Sequence, residues 1–191
     1  MKLIGLSGTN GAGKDSVAEV LRDKYGFYFI SVTELLRNEA KKRGLAVERE
    51  NLRMISAEWR RESGLGVLID KAVETYEKQG GDSNYAGLVV SSLRNPGEND
   101  SVHALKGKVI WIDADPKIRY DRIFSRQRTS EDNKTYEQFV DEEQAEMNHS
   151  GDEATLSLLG VKDKSDITLI NEGSEISELQ KVIQSKLSAI L

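Results

Sequence analysis

Residues 3–21 read Leu3-Ile4-Gly5-Leu6-Ser7-Gly8-Thr9-Asn10-Gly11-Ala12-Gly13-Lys14-Asp15-Ser16-Val17-Ala18-Glu19-Val20-Leu21, and this stretch decides the fold. The segment Gly8–Lys14 fits G-x-x-x-x-G-K. It follows an apolar run, Leu3–Leu6, and precedes an amphipathic one, Val17–Leu21. Strand, glycine loop and helix in that order are the context a phosphate-binding loop requires. Its glycines allow a tight turn that aims backbone N–H groups at an anion. The helix that follows adds the partial positive charge of its N-terminus. Gly8, Thr9, Asn10, Gly11, Ala12, Gly13, Lys14, Asp15 and Ser16 are therefore candidate nucleotide contacts. Lys14 has the reach to touch the outer phosphates of a nucleoside triphosphate.

A hydroxyl residue usually follows the lysine and helps to hold Mg²⁺. Here Asp15 follows it and Ser16 comes next. Ser16 is the candidate hydroxyl at metal and phosphates. Asp15 either caps the helix or sits near the metal.

The remaining composition sets bounds. At 191 residues the expectation is one α/β domain carrying insertions. A net charge of −5 argues against a general nucleic-acid binder. The absence of cysteine excludes disulfides, thiolate metal sites and a cysteine nucleophile. No apolar run approaches the length of a membrane span, and the glycine loop breaks the first apolar run too early for a signal peptide. The expectation is a cytoplasmic protein, monomeric or homodimeric, that binds small nucleotides and neither nucleic acid nor membrane.

Strands and helices alternate along the chain. Strands are expected at 2–7, 27–30, 88–91, 109–113 and 167–170. Helices are expected at 13–24, 33–43, 50–62, 66–78, 116–126 and 174–187. Val- and Ile-rich strands separated by helices imply a five-stranded parallel sheet covered on both faces, a three-layer α/β/α fold. The core comprises 1–32, 85–126 and 165–191. Residues 33–84 form a helical insert. Residues 127–164 form a second insert, polar and short of core residues. Phosphoryl transfer needs water kept from the γ-phosphate, and closing inserts meet that need.

Arg37 lies in the first insert, and Arg94 directly follows the third strand. Ligands gather at the carboxyl edge of a parallel sheet, where an arginine grips phosphate through two parallel N–H bonds. Arg119, Arg122, Arg126 and Arg128 follow the fourth strand. Arg122 and Arg126 share a helix face and suit the charge on a transferring phosphoryl group. Arg119 alone reads equally well as a surface residue.

The order of these motifs resembles adenylate kinase and the small nucleoside monophosphate kinases, over nearly the whole chain. Leu36-Arg37 is similar to the Leu-Arg pair of their monophosphate-binding helix. Arg94 sits like the arginine after their third strand. Asp121-Arg122-Ile123 with Arg126 resembles the opening of their lid. Asn171-Glu172-Gly173-Ser174 is similar to the loop whose backbone meets adenine, which makes Asn171 and Gly173 candidate base contacts. The Gly-Lys-Asp-hydroxyl run is closest to phage deoxynucleoside monophosphate kinases, and other segments to archaeal adenylate-kinase-related proteins. The resemblance implies ATP as donor, Mg²⁺ as cofactor, Arg37 and Arg94 on the acceptor, and Lys14, Arg94, Arg122 and Arg126 as catalytic cations.

The chain departs from that pattern in places. The third strand ends in Ser91-Ser92 where relatives often carry an acid, so Asp113 or Asp115 is a possible substitute. The far side of the lid offers only Lys162 and Lys164, and no glutamine stands after Arg94 to read an AMP base. The base loop also resembles that of dephospho-coenzyme A kinases. A P-loop ATPase used as a switch is a further alternative. His103 and His149 lack ligand spacing. Trp59 and Trp111 read as packing residues, and Asp115 as a helix cap.

Overall fold

The computed structural model describes residues 1–126, 134–147 and 151–191; of Arg126 only the backbone is described. Arg128 and His149 lie outside the described residues. Five strands, β1 (Leu3–Gly8), β2 (Phe27–Ser31), β3 (Gly87–Ser91), β4 (Lys108–Asp113) and β5 (Ile167–Ile170), form one sheet. Their order is β2-β3-β1-β4-β5. Every pairing is parallel, for example Gly5 with Val90 on one side and with Val109 on the other.

Both faces of the sheet are covered because its strands alternate their apolar side chains between two cores. Leu3, Leu88 and Val90 point to one core, where they meet Leu36, Ile55, Leu68 and Tyr76. Ile4, Leu6 and Val89 point to the other, with Val17, Leu21, Leu179 and Ile183. The first core is closed by α2 (Val32–Lys42), α3 (Arg49–Ser63), α4 (Val67–Lys78) and α5 (Pro96–Ala104). The second is closed by α1 (Lys14–Tyr25) and α9 (Ile176–Leu187). Trp111 in β4 is fully buried, and Trp59 packs at the margin of the first core.

Between β4 and β5 come α6 (Pro116–Arg126), α7 (Tyr136–Met147) and α8 (Leu158–Asp163). The expected strands and helices all form, within two residues of the expected bounds. Helices α5, α7 and α8 were not expected. The second insert also packs more than its polarity suggests, for Phe139, Ala154, Leu156, Leu158 and Val161 are buried. Among the described residues no helix is long and apolar enough to cross a membrane.

This topology positions the site. The chain leaves β1 to one side and later returns to β4 on the other, so the switch point lies at the carboxyl end of β1, where ligands of such sheets bind. The glycine loop sits there.

Candidate functional site

The loop is held in shape from behind. Gly8 has φ 144° and Gly11 φ 79°, both accessible to glycine at little steric penalty. A side chain at Gly8 would collide with the Ile112 carbonyl, and one at Gly11 would lie 2.6 Å from the Arg119 carbonyl oxygen. Asn171 Nδ2 donates to the Ala12 carbonyl at 2.9 Å, and Asn171 N to the Asp113 carbonyl at 2.8 Å. The loop therefore rests on β4, α6 and the segment after β5.

Lys14 begins α1 and folds its ammonium back onto the loop, donating to Gly8 O at 3.0 Å and Thr9 O at 2.8 Å. Burial, and next the nearby Arg94 guanidinium, push the Lys14 ammonium down from 10.5 to about 7, although Asp15 and Glu146 oppose the shift. This has a measurable consequence. Between pH 7 and 10.5 the unfolded chain holds that proton and the folded chain does not, so Lys14 makes stability rise with pH across that window. Below pH 7 both states are protonated and the folded form bears the full penalty. Urea unfolding at pH 7 and pH 9.5 should therefore show a larger gain for the wild type than for Lys14→Met. Equal gains would mean that the ammonium is not desolvated.

The three carboxylates near the loop have distinct placements. Asp115 accepts from Lys117 N at 2.8 Å and caps α6, as expected. Asp113 accepts from Thr9 Oγ1 at 3.3 Å and Ala114 N at 2.9 Å, with the Arg119 Nε 3.7 Å away, so it braces the back of the loop. Asp15 does not cap α1, whose N-cap is Gly13 without a side-chain bond. It lies exposed in the first turn and accepts from Ser91 Oγ at 2.9 Å. An acid thus stands at the end of β3 after all, supplied by the first turn of α1 instead of the strand. Among the described residues no three His, Cys, Asp or Glu side chains cluster as a metal cage.

Two pockets border the loop. One is lined by Gly13, Ser16, Arg122, Asn171, Gly173 and Leu179. Here Arg122 donates to Asn171 O at 2.9 Å and Gly173 O at 2.7 Å, fastening the segment after β5 to α6. The other, of about 170 Å³, is reached from the loop by Asn10 and lined by arginines 37, 49, 53, 60 and 94 with Leu36, Leu52 and Leu156 as its apolar wall. Ser92 lies in it with φ 72°, a conformation that is strained outside glycine and that turns the chain from β3 towards Arg94. Arg37 is paired with Glu34 on its own helix.

Several contacts that shape the surroundings of the two pockets had no reading in the sequence. Arg119 is buried, donating to Ala114 O at 2.8 Å and gripping Glu143 of α7 with both terminal nitrogens, so it is no surface residue. Arg60 is buried against Glu98 at 2.7 Å. Glu98 also accepts from Arg94 N at 2.7 Å and Asn95 N at 3.2 Å, and so fixes the backbone that carries Arg94. The signal for it was present: Asn95 and Glu98 stand at capping-box spacing. His103 pairs with Asp166 at 2.8 Å, away from both pockets.

A UPF0200 protein of Pyrococcus horikoshii is 31% identical, covering 99% of this chain and 97% of its own. Another from Pyrococcus abyssi is 33% identical over 76% of this chain and 78% of its own. The chain belongs to the UPF0200 family. A family model described as an AAA domain matches residues 4–148, which include the glycine loop and α7. The fold of this UPF0200 chain is that of P-loop kinases. The shikimate kinase of Bacteroides thetaiotaomicron superposes with a TM-score of 0.56 at 13% identity, covering 96% of this chain and 98% of its own. A gluconokinase of Sinorhizobium meliloti gives 0.52 at 12%, covering 99% and 93%.

Proposed function

We propose that this chain catalyses ATP-dependent phosphoryl transfer to a nucleoside monophosphate. One observation carries the reading: a single glycine loop borders two pockets, one running to the Asn171–Gly173 segment and the other walled by arginines. A donor in the first and an anionic acceptor in the second would meet at Lys14. A switch ATPase has no use for the second pocket.

In this reading the triphosphate lies on residues 8–16 with its base towards Asn171 and Gly173. Lys14 exchanges the carbonyls of Gly8 and Thr9 for phosphate oxygens. The hydroxyl of Ser16 and the carboxylate of Asp15 are the hard oxygen donors that Mg²⁺ prefers, and Mg²⁺ held by them would neutralise charge on the outer phosphates. Arg122 holds the base segment in place. Arg126, one turn further along α6, is assigned to the transferring group. The acceptor docks on Arg37 and Arg94. Its attacking oxygen is already anionic, so positioning and electrostatics supply the rate and no strong base is needed.

The test is ATP turnover with each nucleoside monophosphate, dephospho-coenzyme A, shikimate and gluconate, with the phosphorylated product identified. Turnover on a monophosphate supports the proposal. Turnover only on dephospho-coenzyme A or a hydroxy acid moves the acceptor class, and release of free phosphate alone supports the switch. With the acceptor in hand, Arg37→Ala or Arg94→Ala should raise its KM by roughly tenfold to a hundredfold, one charged hydrogen-bonding pair each. The KM for ATP should stay within about twofold. A raised ATP KM with the acceptor spared would mean that the two pockets are assigned in reverse.

A further inference from the structure

The arginine-walled pocket contains an anion that belongs to the chain. Helix α7 places Glu146, whose side chain is 16% exposed, within 2.8 Å of Arg53, 3.3 Å of Arg94 and 3.9 Å of Arg49. These arginines come from separate parts of the sequence, Arg49 and Arg53 from α3 and Arg94 from beyond β3. The other two arginines of the pocket have partners elsewhere, Arg37 on Glu34 and Arg60 on Glu98. Burial pushes the Glu146 carboxyl up, but Arg94, Arg49 and Arg53 together outweigh it and hold it below its ordinary range. The group is therefore ionised at neutral pH.

One carboxylate is a poor match for this surround. Arg53 and Arg94 stand within hydrogen-bond reach of it, whereas Arg49 lies 3.9 Å from it, beyond that reach. Glu142 also approaches Arg49, at 3.8 Å, from the exposed rim. A phosphomonoester carries close to two charges and three terminal oxygens, enough for three guanidiniums at once. The same pocket wall includes Arg60, whose buried Nε has no hydrogen-bond partner.

We infer that Arg49, Arg53 and Arg94 are the seat of a phosphomonoester group, and that Glu146 is its internal stand-in, displaced when the phosphate enters. That this phosphate belongs to the acceptor rests on the kinase reading, but the seat itself does not depend on transfer. It adds Arg49 and Arg53 as residues that set specificity. It also makes α7 a competitor, since the phosphate must replace a carboxylate already in place, which lowers its apparent affinity.

Calorimetric titration with inorganic phosphate tests this without ATP or turnover. Glu146→Gln is nearly isosteric and should bind phosphate about tenfold or more tightly than the wild type. Adding Arg53→Ala, at a half-exposed side chain, should abolish that gain. Glu146 also acts on Lys14 of the glycine loop, whereas Arg53 is not among the groups that do, so a gain that Arg53→Ala removes belongs to this seat and not to the loop. Acetate should gain less than phosphate from Glu146→Gln. Thermal unfolding of each variant confirms that it is folded. The inference is overturned if Glu146→Gln leaves phosphate affinity unchanged or lower. It is equally overturned if the gain survives Arg53→Ala, or if acetate gains as much. The phosphate result stands whether or not phosphoryl transfer is ever observed, so the two readings fail separately.

Discussion

Lys14→Ala is expected to lower ATP-dependent transfer on the order of a thousandfold, roughly 4 kcal/mol of transition-state stabilisation. The reasoning is electrostatic. In the structure this ammonium donates to two carbonyls of its own loop, those of Gly8 and Thr9. Those contacts are ones that developing phosphate charge would outcompete. Burial and Arg94 already disfavour the charged form in the protein alone, so its removal should leave stability unchanged or slightly raised at neutral pH. Loss of rate with an unaltered urea midpoint is the signature to look for. A turnover within tenfold of the wild type would remove the phosphate-loop reading, and a collapse in stability would show that the lysine holds the loop together.

The largest effect on stability is expected at Glu98. Its side chain is fully buried and accepts from Arg60 Nη2, from the backbone N–H of Arg94 and from that of Asn95. Glu98→Ala leaves a buried cation and two N–H groups without their acceptor. Breaking a buried pair from one side costs about 3–5 kcal/mol, which in a domain of this size lowers Tm by on the order of 10 °C. Arg60→Met combined with Glu98→Leu, which removes both charges, should recover much of that loss. Differential scanning calorimetry decides it. A single-variant loss under about 1 kcal/mol would mean that water reaches the pair.

The contrast between these two positions explains how far the sequence could be read. Lys14 stands in a local pattern whose chemistry is contained within nine residues. The strands were equally legible, since their apolar runs are interrupted by polar turns. Helix α5 was hidden because Pro96-Gly97 reads as a turn, although Asn95 and Glu98 together cap it. Helix α7 buries only Phe139 along its length and carries an acid at five of its twelve positions, so no periodic apolar stripe announced it. Glu146 was beyond reach altogether, because its partners lie 52 to 97 residues away in the chain. The partners themselves left a trace: Arg49, Arg53 and Arg60 fall at spacings of four and seven on one helix, a basic stripe on the side of α3 that meets the pocket. Asp15 shows the opposite limit. Its type and place were plain, but only the fold reveals that it stands beside Ser91.

The way the glycine loop is braced has a consequence for how the protein is made. Its supports are Ile112, Arg119 and Asn171, all synthesised at least a hundred residues after Gly8. While the chain is still emerging from the ribosome, β1 and α1 can find each other, but the cradle between them has nothing to lean on. It acquires its shape only after the segment that follows β5 has docked, so more than 150 residues of chain separate the synthesis of the glycines from that of the side chain that steadies them.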